Sequence, residues 1–322
     1  MHARVATKAA IVKTASFIAS LCWFIVRVSA AEPADANAAR DRGAAHLAEL
    51  TSQPWLADWK GATLEDVRLV AQKKDLTWPT GLPPAWWAKI THPEKGAGYL
   101  AWDSGGDGKI IEFAFDTALA IDAPDAKAIK GVPSLQQFAI PQKDGSSIAS
   151  GCVPTSAASV LGFWIERDYP QWRGDAGAAP LQALTRRIRA RLDMQAIPDK
   201  DGYTDDAMAL AGAMPDDLAR AIQADAAEQH VPIRSSVSRF RYETLQAEIS
   251  AGRPVLLSCI VRLPHKPQLS WGHEVAGVGW AKLGEVRFVG IVDNFYPVKN
   301  PATIRWLRSD AFDSLITIRP AP

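Results

Sequence analysis

Hydrophobic positions along this chain change their spacing several times, and each change marks an element. In residues 35–51, alanines and charges recur at helical spacing, which predicts a helix. Residues 77–90 carry three prolines and predict a loop leading into a short helix. Two apolar runs follow, Gly98-Tyr99-Leu100-Ala101-Trp102 and Ile110-Ile111-Glu112-Phe113-Ala114-Phe115. Ser104-Gly105-Gly106-Asp107-Gly108 separates them, and together they predict a β-hairpin. The acidic residues of 103–107 lack the ligand spacing and closing Glu of a calcium loop, so a plain turn is expected. Residues 123–128 read as a linker.

Beyond the linker the period lengthens. Ala157, Val160, Leu161, Trp164 and Ile165 form a helical stripe after Pro154, and proline is favoured in a helix's first turn. Ala157, Ala158, Ser159 and Gly162 are small, so this helix can lie close to a sheet. Residues 180–194 and 215–230 predict two more solvated helices. Residues 242–250 predict a further one, with Leu245 and Ile249 on one face and Ala251-Gly252 ending it. Apolar runs at 255–261, 274–280 and 286–292 predict strands. Helices followed by consecutive strands make the class α+β, a helix packed on an antiparallel sheet. Residues 129–322 would form that domain, and residues 32–128 a small α+β accessory domain ahead of it. The chain shows no internal repeat and no low-complexity tract.

Composition narrows the function classes. The 322 residues carry 22% charged side chains and a net charge of +1, so no electrostatic footprint for nucleic acid exists. The start of the chain departs from this even mixture. Arg4, Lys8 and Lys13 precede an apolar stretch over 15–26, then the small residues of Val28-Ser29-Ala30-Ala31. That order predicts a secretory signal peptide over 1–31 and a mature chain outside the cytoplasm, secreted or periplasmic. The apolar stretch is too short for a membrane span, which needs roughly 20 residues, so no stable membrane anchor is expected. Cys22 lies inside that stretch after Leu21, not after a small residue, which argues against a lipid anchor.

Two cysteines remain after the signal. Cys259 sits in the apolar strand of 255–261 and reads as a buried small hydrophobe. Cys152 sits at the start of a helix, in Ser150-Gly151-Cys152-Val153-Pro154-Thr155-Ser156. A disulfide between them is possible outside the cytoplasm, but sites so differently built predict two free thiols. The helix N-terminus favours the ionised thiol, the reactive form. A cysteine nucleophile also needs an imidazole to take its proton and a carboxylate or amide to orient that imidazole. His273 heads an apolar strand after Trp271-Gly272, and Asp293 closes another, with Asn294 as a rival orienter. His265 is a rival base, placed between Pro264 and Pro267 in an expected surface loop. No second Cys or His stands at metal-ligand spacing beside these residues, so neither metal nor cofactor is expected. The twelve Trp residues, Trp86-Trp87 included, are expected as core anchors, with Trp271 alone near the cleft.

These residues carry a family resemblance. Val132-Pro133-Ser134-Leu135-Gln136-Gln137, Gly151-Cys152-Val153-Pro154-Thr155-Ser156, Gly252-Arg253-Pro254-Val255, Gly272-His273 and Val292-Asp293 follow one another in that order. The second region therefore resembles the papain-like cysteine peptidases, in the branch similar to double-glycine leader peptidases. The resemblance does not extend to residues 32–128. It implies a papain-like fold, Cys152 as nucleophile, His273 as base and Asp293 as orienter. It also implies that Gln137 donates to the oxyanion beside the Cys152 amide. Gln142 is closer in sequence to Cys152 and is the alternative donor. Val153 stands where the family has Gly, which is expected to put a side chain near the cleft. No transporter helices or nucleotide-binding motif accompany the match, so leader processing is not implied. The expected activity is an exported thiol hydrolase acting on a peptide or protein substrate. An acyltransferase with the same triad, or an inactive papain-like module that binds peptides or envelope components, are the alternatives.

Overall fold

The structure is a computed structural model that describes residues 36–70, 78–79, 82–115, 121–145, 147–174, 179–192, 194–196, 211–263, 266–294 and 304–321. The expected signal peptide and His265 lie outside these residues.

Apolar side chains on extended runs dominate the described chain, and they build one large antiparallel sheet. Four strands come from the first third: β1 (Thr63–Leu69), β2 (Ala85–His92), β3 (Gly96–Asp103) and β4 (Ile110–Phe115). Six come from the last: β5 (Ile233–Arg239), β6 (Val255–Leu263), β7 (Lys266–Leu283), β8 (Val286–Val292), β9 (Arg305–Arg308) and β10 (Phe312–Pro320). Their spatial order is β1-β2-β3-β4-β9-β8-β7-β6-β10-β5. The two groups meet where β4 pairs with β9, Phe113 opposite Trp306. The rings of that pair stack at 6.1 Å and 12°, and Trp55 packs against both. Such aromatic contacts add about 0.5–1.5 kcal/mol each beyond their buried area. The boundary expected at 128/129 therefore does not separate two sheets.

Two expectations give way to strands. Residues 85–92 form β2 instead of a short helix, with Ala85, Trp86, Trp87, Ala88 and Ile90 all buried. A short apolar run carries no period that separates helix from strand, and here pairing with β1 and β3 decides it. The supposed linker is also paired. Residues 126–128 hydrogen-bond to 122–123 on one side and to β7 on the other. The hairpin of β3 and β4 forms as expected, and its turn is a plain one: the Asp103 carboxylate accepts the amides of Gly105, Gly106 and Asp107 at 3.0–3.1 Å.

Among the described residues, five α-helices accompany the sheet: α1 (Ala36–Ser52), α2 (Cys152–Arg167), α3 (Pro180–Arg191), α4 (Pro215–Glu228) and α5 (Tyr242–Ser250). The class is α+β, with a large antiparallel sheet. Helix α2 holds the centre. Every residue from Val153 to Ile165 is buried, so the helix is enclosed all round and not merely striped. Gly162 makes this possible. A Cβ there would stand 2.6 Å from Leu181 of α3 and 3.1 Å from Pro133. Val153 belongs to this core at 6% exposure, so it does not narrow the cleft as its β-branched side chain led us to expect.

Candidate active site

The site starts from the turn that launches α2. Gly151 has φ +87°, a conformation that favours glycine, and a Cβ there would press on Met194 at 2.9 Å. The turn is tied down on both sides. Ser150 exchanges bonds with Phe138, its amide donating to the carbonyl at 2.8 Å and its hydroxyl accepting the Phe138 amide at 3.0 Å. Thr155 donates its hydroxyl to the Gly151 carbonyl at 2.6 Å. No side chain caps the helix start, so its positive end faces Cys152, which is half-buried.

Opposite this turn, β7 presents His273. The ring lies in register with Cys259 of β6, and its Nε2 meets Asp293 Oδ1 at 2.9 Å. The Cys152 thiol stands beside the same ring and acts on its proton. With Nε2 taken by Asp293, Nδ1 is the nitrogen left for sulfur. His273 and Asp293 are buried. Burial by itself would push the imidazole down, but the Asp293 charge and its hydrogen bond, with Cys152, outweigh that. They raise it to about 10. Cys152, His273 and Asp293, separated by some 140 positions in the chain, thus meet in one relay.

Asn294 does not orient the ring. Its side-chain NH2 donates to the Cys152 carbonyl at 3.1 Å, the Glu274 carbonyl at 2.9 Å and the Ser156 hydroxyl. Its carbonyl oxygen accepts the Gln137 side-chain amide at 2.9 Å. This one side chain therefore clamps the start of α2, strand β7 and the 132–138 segment together. The two glutamines part company. Gln137 is bound to Asn294 through both backbone and side chain, whereas Gln142 folds back on the carbonyls of Ile140 and Pro141 at 3.1 and 3.3 Å. Cys152 and Cys259 are free thiols. Burial, then the nearby Asp293 and Glu274 carboxyls, push the Cys259 thiol up, which keeps it neutral and inert. The side chain of Trp271 lies outside the described residues.

Three residues of this site escaped sequence reading. Arg305 of β9 ion-pairs with Asp293 Oδ2, and also bonds Glu112 of β4 at 2.7 Å. Glu112 accepts the phenol of Tyr99 on β3. Glu274, next to His273, accepts the Ser258 hydroxyl at 2.5 Å and is raised to about 7 by burial. Only Glu112 left a signal, a lone ionisable residue in the apolar strand Ile110-Ile111-Glu112-Phe113. Among the described residues, no group of three or more His, Cys, Asp or Glu is arranged to hold a metal ion. No described helix is long and apolar enough to cross a membrane.

No protein-family model matches the chain, and no curated protein matches it.

Proposed function

We propose that this chain is an exported thiol hydrolase that cleaves peptide or amide bonds by the papain-like mechanism. One observation carries the reading: a single buried imidazole bonds the Asp293 carboxylate at 2.9 Å and interacts with the Cys152 thiol beside it. Export rests on the signal-like composition of residues 1–31.

The chemistry follows from that geometry. His273 holds the proton of Cys152, and the imidazolium beside sulfur, with the helix start behind it, favours the nucleophilic thiolate. Sulfur attacks the scissile carbonyl carbon and the oxygen takes up the negative charge. The Cys152 amide and the second N–H of the Gln137 side chain are the donors for that oxyanion, the first hydrogen being committed to Asn294. His273 then gives its proton to the departing amine, leaving an acyl-cysteine. Water, deprotonated by the same ring, attacks the thioester and releases the acid and the free thiol. Asp293 keeps Nε2–H pointed at itself throughout, which keeps Nδ1 aimed at sulfur.

The test is to treat the folded, reduced full chain with an electrophilic peptide-like inhibitor and locate the added mass. Cys152 is expected to be labelled, Cys259 not, and labelling is expected to be lost in His273→Ala. A folded protein whose Cys152 stays unlabelled overturns the reading.

A further inference from the structure

Arg305 sits at the far side of Asp293 from the imidazole, and that position raises a difficulty. A guanidinium paired with Asp293 draws off the charge that His273 needs. The structure answers it with a second carboxylate. Glu112 is fully buried, and its Oε1 lies 2.7 Å from Arg305 Nη2 and 2.8 Å from Nε. Tyr99 closes the group, donating its phenol to Glu112 while its oxygen accepts Arg305 Nε at 3.0 Å. Asp293 and Glu112 thus flank the Arg305 guanidinium, and Glu112 offsets part of a positive charge that would otherwise act on Asp293 alone.

Other titratable groups among the described residues face this cluster. Cys259 from β6 and Tyr99 from β3 are both held neutral by burial. Glu274 from β7 keeps its proton up to about pH 7, and Cys152 from α2 is the sulfur itself. Burying ions together in this way is costly unless each is paired, so a change at Glu112 or Arg305 is felt at Asp293 and through it at the ring.

We propose that Glu112 and Arg305 are positioning residues for the triad: Arg305 fixes the Asp293 carboxylate, and Glu112 takes up the Arg305 charge so that Asp293 still acts on His273. The inference rests on the thiol-hydrolase reading and extends it. It makes β3 and β4, strands that lie outside the family resemblance, a working part of the active site. They are not a cover that can be removed.

The two carboxylate-side partners give opposite signs, which a purely structural role would not. In the full chain, nitrogen-15 NMR of the histidine rings follows the pH at which His273 loses its proton, with the signal assigned by its loss in His273→Gln. Glu112→Gln, which keeps the shape and removes the charge, is expected to lower that midpoint by about one pH unit. Arg305→Gln is expected to raise it. Midpoints that stay put, or that move in the same direction in both variants, overturn the inference. If Arg305→Gln does not fold, the downward shift in Glu112→Gln decides alone. Alkylation of wild-type Cys152 by iodoacetamide keeps this outcome apart from the parent reading. Should Cys152 react no faster at pH 6 than a free thiol, the hydrolase reading falls. Should it react faster while the midpoints fail to split, only the positioning role falls.

Discussion

Asp225 on α4 and Asp293 beyond β8 are both carboxylates removed from water, at 0% and 3% exposure. Their partners differ. Asp225 is gripped by Arg187 at 2.7 and 3.0 Å, by Arg191 at 3.1 Å and by the Trp172 indole at 2.9 Å. Burial alone would raise it, but these bonds win and hold it below the ordinary carboxylate range. All of those donors keep their protons at any pH the fold meets, so the site joins α3 to α4 and does nothing else. Asp293 pairs with a permanent cation, Arg305, and also with a partner that titrates, His273, beside which stands a thiol. Glu274 completes the series: among the described residues its carboxyl accepts the Ser258 hydroxyl on one oxygen, and the His273 ring lowers it only in part against burial. Buried charge is thus common in this fold. What sets the proposed active site apart is a buried charge whose counter-ion can let go of its proton.

The comparison breaks most decisively by exchanging acid for amide at both aspartates. Asp293→Asn is expected to slow Cys152 alkylation by on the order of 10²–10⁴, because the ring loses its enforced orientation, while the fold survives. Asp225→Asn is expected to leave that rate unchanged and to cost on the order of 3–5 kcal/mol in urea unfolding, since two guanidiniums lose their carboxylate. Interchanged results would show that the structural and functional roles have been assigned the wrong way round.

Glu274 should show itself through pH. Its folded-state value, about 7, lies above the ordinary 4.5, so the proton it holds stabilises the fold below about pH 4.5. That contribution drains away as pH rises toward 7. Glu274→Gln carries its hydrogens at every pH and removes the drift. Wild type is therefore expected to lose up to about 3 kcal/mol relative to the variant between those two values, read from unfolding curves across the range. Parallel curves would mean that the carboxyl is ionised throughout.

The smallest effects separate the glutamines. Gln137→Ala is expected to reduce turnover of a small amide or ester substrate by about 10²-fold if its amide serves the oxyanion. Gln142→Ala, whose amide serves only its own turn, should change turnover less than about twofold. Equal losses in both would move the oxyanion donor elsewhere.

Several elements of residues 129–322 were legible beforehand because their signals are local. Helix α5 and strand β8 occupy the residues expected of them, 242–250 and 286–292, where period and end signals agree. Cys152 at a helix start, His273 on a strand and Asp293 after one could each be read from a few neighbours. Strand β2 was misread because prolines at 79, 83 and 84 suggested broken structure, and only its partners β1 and β3 make Ala85–His92 extended. Strands β9, β10 and β5 left no clear mark because they are short or mixed in polarity, and their pairing with distant residues supplies what their own sequence lacks. Val153 was misplaced for a related reason: which way the first turn of α2 faces depends on what packs around it.

The amino-acid sequence by itself determined the chemical kit: a thiol where a helix begins, an imidazole on a later strand, a carboxylate just after another, and glycine where the backbone takes φ +87° before the sulfur. Those follow from side-chain chemistry and backbone sterics, which act over a few residues. Only the tertiary structure decided that Asp293 and not Asn294 holds the ring, that Gln137 and not Gln142 borders the site, and that Glu112 and Arg305, 193 positions apart, share one buried ion pair. Electrostatics between buried groups depends on distance in space and on the exclusion of water, and neither is written in the spacing of residues along the chain.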